Sequence, residues 1–283
     1  MRRIEARVDE LGECPTWDER SGRLLRIDII GRRLLSCGFD GERPEAVSLV
    51  EFPGSFALRR NGGLLMAYRR RLALWDLAGN ETRIEMPAEW DGNRERFNDG
   101  SCDARGRFWV GTMDRRLQDA VGALYRVDSD LTIHRMASGF GLSNGIAWSP
   151  DNRTMYQCDS RPPIIYAYEF DLDAGVAQNR RTLVDFTCAM GMPDGCTTDV
   201  EGFIWVAAPS ASQVMRFDPE GKLERSVRTT AAMPTSVTFG GADLRTLFIT
   251  SMRSHEAPPG EADGAVFACE APAAGMPRRR FAA

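Results

Sequence analysis

The sequence contains few of the side chains that commonly serve as general bases, Schiff-base nucleophiles or zinc ligands. Among 283 residues it has two histidines, His134 and His255, and a single lysine, Lys222. Two histidines exclude a three-histidine zinc site. The lysine stands in the turn-like DPEGKLE, which argues against Schiff-base catalysis. Seven cysteines at irregular spacing contain no C-x-x-C pair, which disfavours a disulfide framework and predicts free thiols.

Charge and hydropathy exclude two further classes of protein. The 36 basic and 40 acidic side chains give a formal charge of −4, so no basic field is available to attract nucleic acid. No run approaches the roughly 18 apolar residues of a membrane span, and MRRIEARVDELGE lacks the apolar segment of a signal peptide. We therefore expect a cytoplasmic protein, monomeric or weakly homo-oligomeric, without nucleic-acid or membrane partners.

Short apolar runs of strand length recur between turn sequences along the whole chain, and none sustains a helical period. Six copies of a strand–turn–strand pattern begin at positions 14, 55, 100, 145, 195 and 236. The distances between successive start positions match the typical length of one four-stranded propeller blade. The sequence therefore predicts an all-β fold: one domain over residues 1–283, a six-bladed β-propeller with four-stranded antiparallel blades around a central channel. The N-terminal RRIEARV is a candidate strand for pairing with the last repeat.

The segment Gly141-Leu142-Ser143-Asn144-Gly145 matches the G-x-S-x-G pattern of a serine hydrolase. That motif places its serine between a strand and a helix, whereas here a strand, a turn and a second strand follow. His134 lies in the alternating LTIHRMA, typical of a strand, and His255 lies in a loop. We interpret the match as coincidental.

The residue just before each inner strand is predicted to lie at one rim of the channel. Four of the six can supply an oxygen ligand, which is what a hard divalent cation requires. Each of NDG, SNG and PDG alone is typical of a turn; three in register, together with a glutamate, favour a metal site. The six positions are Glu13, Gly54, Asp99, Asn144, Asp194 and Thr235.

The segments GECPTW, RFNDGSCDARGRFWVGTM, SNGIAWSPD and MPDGCTTDVEGFIWVA resemble, in order, those of the senescence marker protein/gluconolactonase/luciferin-regenerating enzyme family. The resemblance covers essentially the whole chain. It implies a six-bladed propeller with one divalent metal and hydrolysis of a sugar lactone to the aldonic acid. It implies Glu13, Asn144 and Asp194 as metal ligands. The ion stays open among Ca²⁺, Mg²⁺, Mn²⁺, Zn²⁺ and Fe²⁺, because oxygen ligands accept several cations.

The same resemblance implies that Arg96 and Asn98 contact the substrate and that Asp99 holds the turn. We expect Asp194, beside the cation, to act also as the general base. The segment between Met113 and Gly122 is shorter than the corresponding loop of relatives, so the size and class of the sugar lactone stay open.

Several alternatives also stay open. Arg69, Arg70 and Arg71 fit a solvated strand edge, but an arginine turned into the channel would favour an acidic sugar. The C-terminal PRRRFAA resembles a frayed tail or a final edge strand. The competing functions are hydrolysis of another ester class and a non-catalytic metal-binding propeller.

Overall fold

The computed structural model describes residues 1–187, 191–253 and 259–283. Six four-stranded antiparallel sheets surround a central channel, so the predicted six-bladed β-propeller is confirmed. Each copy of the sequence repeat forms the inner two strands of one blade. Within the described ranges, no helix has the length and apolar character to span a membrane.

The strands of each blade are given from the channel outward. Blade 1 comprises Gly12–Asp18, Arg23–Asp28, Arg33–Gly38 and Glu45–Ser48. Blade 2 comprises Pro53–Leu58, Leu64–Tyr68, Leu72–Trp75 and Glu81–Ile84. Blade 3 comprises Glu95–Cys102, Phe108–Asp114, Gly122–Val127 and Ile133–Phe140. Blade 4 comprises Ser143–Trp148, Thr154–Ser160, Pro163–Asp171 and Val176–Asp185. Blade 5 comprises Cys196–Thr198, Ile204–Ala208, Gln213–Phe217 and Leu223–Arg228, with a one-turn 3₁₀ helix at Pro209–Ala211. Blade 6 comprises Pro234–Gly240, Thr246–Ser251, Phe267–Glu270 and Arg2–Arg3.

The hydrophobic core lies between neighbouring blades. The second strand of blade 2, Leu64–Tyr68, is buried along its whole length, whereas the outer strand of blade 1, Glu45–Ser48, is exposed along its whole length. This gradient follows from sequence, because apolar β-formers fill the inner strands and charged residues the outer ones. Four tryptophans on the inner two strands of their blades are buried, as the sequence predicts: Trp17, Trp109, Trp148 and Trp205.

The ring is closed by its two chain ends joining one sheet. Arg2–Arg3 pairs antiparallel with Phe267–Glu270, with Arg2 opposite Ala268. The prediction that the N-terminal segment pairs with the last repeat is therefore confirmed. This pairing covers the edge that the last blade would otherwise expose.

The C-terminal residues 274–283, here called the strap, cross the end of the channel at which the inner strands finish. The Met276 N–H donates to the Thr198 carbonyl at 3.0 Å, and the Phe281 N–H donates to the Leu58 carbonyl at 2.8 Å. The Phe281 side chain is fully buried. The interpretation of PRRRFAA as a frayed tail or edge strand is therefore wrong: because Phe281 fits between blades, the segment is anchored as it crosses the ring.

The six cysteines in the described ranges are all free, and all but Cys269 are buried. This agrees with the prediction of free thiols for these six. Cys188 and His255 lie outside the described residues.

Candidate functional site

The predicted ligand positions lie at the other end of the channel, here called the open end, where the inner strands begin. Five of the six inner strands contain a register shift there; in blade 3 it falls between Phe97 and Gly100, and in blade 4 between Ser143 and Ile146. A β-bulge inserts residues without a cross-strand partner and re-aims their side chains. Asn98, Asp99 and Asn144 are therefore bulge residues inside strands, whereas the sequence had placed the register position before each strand.

Contacts between neighbouring blades hold these positions together at the open end. The Thr235 hydroxyl donates to the Gly12 carbonyl, which links blades 6 and 1. The Gly195 N–H donates to the Thr235 carbonyl at 2.9 Å, which links blades 5 and 6. Blade 2 contributes Gly54, where a Cβ would lie 2.8 Å from the Phe97 carbonyl oxygen. Blade 2 therefore cannot supply a ligand at that position without moving blade 3.

A chain of hydrogen bonds fixes the two asparagines of the site. Asn98 Nδ2 donates to Asn144 Oδ1 at 2.7 Å, and Asn144 Nδ2 donates to Ser160 Oγ at 2.9 Å. Ser160 Oγ donates in turn to the Pro193 carbonyl at 2.7 Å. An amide oxygen has two lone pairs. Asn144 Oδ1 therefore keeps one acceptor position for a further donor or a cation, while its orientation is held from both sides.

The charges of three carboxylates act on one another at the open end. Burial, followed by the negative charges of Asp194 and Asp99, raises the pKa of Glu13 well above its usual value. Burial, followed by the charge of Asp99, raises the pKa of Asp194 well above its usual value. Burial also raises the pKa of Asp99. Like charges this close, in a partly dehydrated channel, disfavour the ionised state unless a cation compensates.

The residues at the open end fit a divalent cation. Asp194 Oδ1 is buried and accepts no hydrogen bond from the described residues. Glu13, Asn144 and Asp194 would together offer two carboxylates and one amide oxygen, a donor set suited to a hard cation. In the described part of the chain, no three His, Cys, Asp or Glu side chains form a metal-binding group. An amide is not among those residue types, so this finding leaves the predicted set of two carboxylates and one amide untested.

The two residues predicted to bind substrate lie next to this set. Arg96 Nη1 donates to Asn98 Oδ1 at 2.9 Å and to the Phe97 carbonyl at 3.2 Å. Burial, followed by the positive charge of Arg69, lowers the pKa of Arg96 to about 10. The structure thus joins Arg96, Asn98 and Asn144 in one network.

The serine-hydrolase alternative has no support in the geometry. Ser143 is fully buried, and its Oγ accepts a 2.7 Å hydrogen bond from Gln157 Nε2. It begins the inner strand Ser143–Trp148, so no helix follows it. His134 lies on the outer strand of blade 3 with its Nε2 3.1 Å from Asp128 Oδ2. Among the described residues, Ser143 therefore has no histidine to activate it.

Sequence reasoning undervalued three residues of the site. The motif context assigned Asp99 to the turn; its Oδ1 does accept from the Gly100 N–H at 2.7 Å, but its charge also acts on Glu13 and Asp194. Ser160 lies at the end of a second strand, outside the repeat position that carried the prediction. The sequence does not decide whether Arg69 lies at a solvated strand edge or turns into the channel. A search of the second strands' ends for polar residues would have found Ser160.

The chain is similar to known proteins over nearly its full length. Residues 11–253 match the model of the SMP-30/Gluconolactonase/LRE-like region. The chain is 36% identical over 282 residues to a 6-deoxy-6-sulfogluconolactonase from Pseudomonas putida, covering 96% of this chain and 95% of that protein. It is 34% identical over 258 residues to regucalcin from Xenopus laevis, covering 88% and 86%. The solved structure of a calcium-binding protein, regucalcin, from Agrobacterium tumefaciens has a TM-score of 0.89 at 26% identity, covering 99% and 96%.

Proposed function

Because the chain belongs to the SMP-30/gluconolactonase/LRE-like family, we propose that it is a divalent-cation-dependent hydrolase that opens a sugar lactone to the aldonic acid. One observation carries the proposal: Asp194 Oδ1 is buried at the open end without a partner among the described residues, and the Asn144 amide at the same end is already oriented by hydrogen bonds. A relative named as a sulfogluconolactonase supports lactone hydrolysis, and a relative named as a calcium-binding protein supports the cation.

In this proposal Glu13, Asn144 and Asp194 hold the cation. When bound, a divalent cation supplies the positive charge that stabilises a developing oxyanion during acyl transfer. The Asn98–Asn144–Ser160 chain fixes the orientation of the Asn144 amide. Fixed ligands of this kind reduce the reorganisation that binding requires.

Asp194 is the proposed general base. Its pKa lies well above the usual range because of burial and the charge of Asp99. A bound cation would offset this shift and also lower the pKa of a neighbouring water, so Asp194 could take that water's proton through Oδ1, which has no partner among the described residues. Arg96 and Asn98 orient the sugar, with the Arg96 guanidinium already held by Asn98 Oδ1 at 2.9 Å. Positioning of this kind accounts for a large share of the rate enhancement in many enzymes.

The experiment is a lactone panel with metal-stripped protein, read by acid release. Gluconic, galactonic, xylonic and arabinonic lactones are each tested with Ca²⁺, Mg²⁺, Mn²⁺, Zn²⁺ and Fe²⁺ added separately. We expect little hydrolysis above the uncatalysed rate without a cation and saturable turnover with at least one. An aryl-acetate panel is run in parallel.

The outcomes separate the competing functions. Turnover of aryl acetates without lactones would point to another ester-hydrolase class. Cation binding by calorimetry without turnover of either panel would favour a non-catalytic metal-binding propeller.

A further inference from the structure

The arginines of blade 2 have different surroundings, and the difference identifies a binding group. Arg71 Nε lies 2.6 Å from Glu51 Oε1, and the same guanidinium also pairs with Glu81. Arg69, two residues earlier, has no carboxylate within 4.0 Å among the described residues, and its buried Nε has no hydrogen-bond partner there. Arg71 is therefore structural, while Arg69 is a partly buried cation without a compensating charge.

Arg69 is held in place at the open end without an ion pair among the described residues. Its guanidinium stacks 4.2 Å from the centroid of the Phe52 ring. Its backbone N–H donates to the Phe52 carbonyl at 2.9 Å, and its carbonyl accepts from the Phe97 N–H at 3.0 Å. The aromatic stack and the link to blade 3 restrict the side chain. A planar guanidinium held this way keeps its donors free for an anion.

Two further arginines extend this positive region. Among the described residues, Arg96, adjacent to Phe97, bonds only Asn98 Oδ1 and a backbone carbonyl. Arg115, on the loop after the second strand of blade 3, donates to the Asn93 carbonyl at 3.0 Å. None of the three guanidinium groups forms an ion pair in the described part of the chain. Burial, followed by the charge of Arg115, lowers the pKa of Arg69, and burial, followed by the charge of Arg69, lowers the pKa of Arg96, so Arg69 is repelled from both sides.

The cost of grouping unpaired cations falls when an anion joins them. Glu13 offsets Arg96 in part, but no carboxylate acts comparably on Arg69. The carboxylates of the open end belong to blades 1, 3 and 5, whereas Arg69 belongs to blade 2. An anion at Arg69 would therefore lie to one side of the groups proposed to act on the lactone carbonyl.

We infer that this site takes a lactone whose sugar carries an anionic group remote from the lactone carbonyl, bound by Arg69 with Arg115 beside Arg96. The inference rests on the proposed lactonase function and narrows its substrate class. The anionic group is a carboxylate, sulfonate or phosphate on the terminal carbon of the sugar. Arg69 is a specificity-determining residue in this assignment, and the hydrolytic groups are unchanged.

The test compares six-carbon lactones that differ only at the terminal carbon: hydroxyl, carboxylate, sulfonate or phosphate. We expect the wild-type protein to prefer one or more anionic members by about tenfold to a hundredfold in kcat/KM, the range of a charge-assisted hydrogen bond. Arg69→Gln should lose about tenfold or more on the anionic members, mainly through KM, and leave the neutral lactone within about twofold. Arg69→Lys, which keeps the charge, should recover part of the loss.

Arg116→Gln is the matched control, because it removes an exposed positive charge from the same loop as Arg115. It should leave the preference unchanged. Equal kcat/KM for neutral and anionic lactones in the wild type would overturn the inference while leaving lactone hydrolysis intact. An equal loss on all lactones in Arg69→Gln would also overturn it, by making Arg69 structural.

Calorimetry with the corresponding open-chain acids decides the inference if no lactone is opened. Tighter binding of the acids with a terminal anionic group, lost in Arg69→Gln, would support the anion site and count only against the proposed hydrolysis. Equal binding of all the acids would overturn the anion site. Comparison of the carboxylate, sulfonate and phosphate compounds identifies which anionic group the arginines prefer.

Discussion

The two ends of the channel satisfy their polar groups in different ways. At the strap end, the backbone of residues 274–283 bonds to blades 2, 3, 5 and 6, and Arg280 pairs with Asp18 of blade 1. At the open end, Asp194 Oδ1 and Arg69 Nε are buried without partners among the described residues; on the strap, Arg278 Nε also lacks a partner there, but its guanidinium donates through Nη1 to Ser101 Oγ. A buried polar atom left unpaired costs about 1–3 kcal/mol. The strap end therefore contributes stability, whereas the open end retains unpaired groups suited to a ligand.

Arg278 connects the two ends. From the strap, its Nη1 donates to Ser101 Oγ at 2.9 Å, and its charge lowers the pKa of Asp99 against the larger effect of burial. The cation of the strap thus offsets one of the three carboxylates of the open end. For Glu13 and Asp194, burial and the charges of neighbouring carboxylates are the largest causes of the raised pKa.

The largest effect is expected at the open end, for Asp194→Asn. Asn fits the same backbone, so the fold should persist, but the charge and the basicity are lost. We expect turnover to fall by about 10²–10⁴-fold, the contribution of a general base. Cation binding should weaken without vanishing, because one oxygen ligand remains.

The measurement is lactone opening at cation occupancy confirmed by calorimetry, relative to the uncatalysed rate at the same pH. Asp173→Asn, an exposed carboxylate near the strap end, is the control and should behave as wild type. Recovery of near-normal turnover at full occupancy would restrict Asp194 to ligation and move the base to another group.

The strap end should respond in stability alone. Phe281→Ala removes a fully buried ring from a cluster that includes Phe97 and Phe108. We expect the free energy of unfolding to fall by about 3–5 kcal/mol, with kcat per folded molecule unchanged. Urea denaturation and active-site-normalised kinetics measure the two quantities. A lost kcat with unchanged stability would show that the strap acts on catalysis, contrary to the division between the ends.

A third effect, of intermediate size, tests repulsion within the open end. In metal-stripped protein, Glu13→Gln should raise the melting temperature by a few degrees, since about 1 kcal/mol corresponds to roughly 2–4 °C in a chain of this size. The reason is that burial and the charges of Asp194 and Asp99 disfavour ionised Glu13. Added cation should stabilise the wild type more than the variant. A destabilised metal-free variant would show that Glu13 is structurally paired and would contradict the cation site.

The fold was predictable because its determinants are local and repeated. Six copies of one strand–turn–strand pattern specify six blades without knowledge of any long-range contact. The strap was not predictable, because PRRRFAA has no strand alternation and its position depends on the space that the ring leaves for Phe281. The predicted cytoplasmic location stays a prediction from composition.

The site was predictable in part for the same reason. Repeat register selected Glu13, Asp99, Asn144 and Asp194, since equivalent strand positions meet around one channel. Register alone did not reveal that Asn98 and Asp99 share a bulge, because a bulge depends on pairing with the next strand. Nor could it separate Arg69 from Arg71: both fit a strand edge, and only the packing of Phe52, Glu51 and Glu81 distinguishes them.

The smallest effect on turnover is expected for Ser143→Ala, which removes the hydroxyl of the G-x-S-x-G match. Ser143 Oγ accepts from Gln157 Nε2 at 2.7 Å, and Gln157 Oε1 accepts from the Tyr168 hydroxyl at 2.9 Å, so the serine completes a buried polar chain. Its loss should cost about 1–2 kcal/mol of unfolding free energy, because one amide donor is left unpaired.

The Ser143 carbonyl, which accepts from Asn98 Nδ2 at 2.9 Å, is retained in alanine, so Asn98 and Asn144 keep their orientation. We therefore expect kcat within about twofold of wild type and unchanged cation affinity, since no reacting group is touched. Asn144→Ala is the paired variant and should lose cation affinity instead. An inactive Ser143→Ala protein with normal cation binding and normal folding would make the hydroxyl a nucleophile and reinstate the serine-hydrolase interpretation.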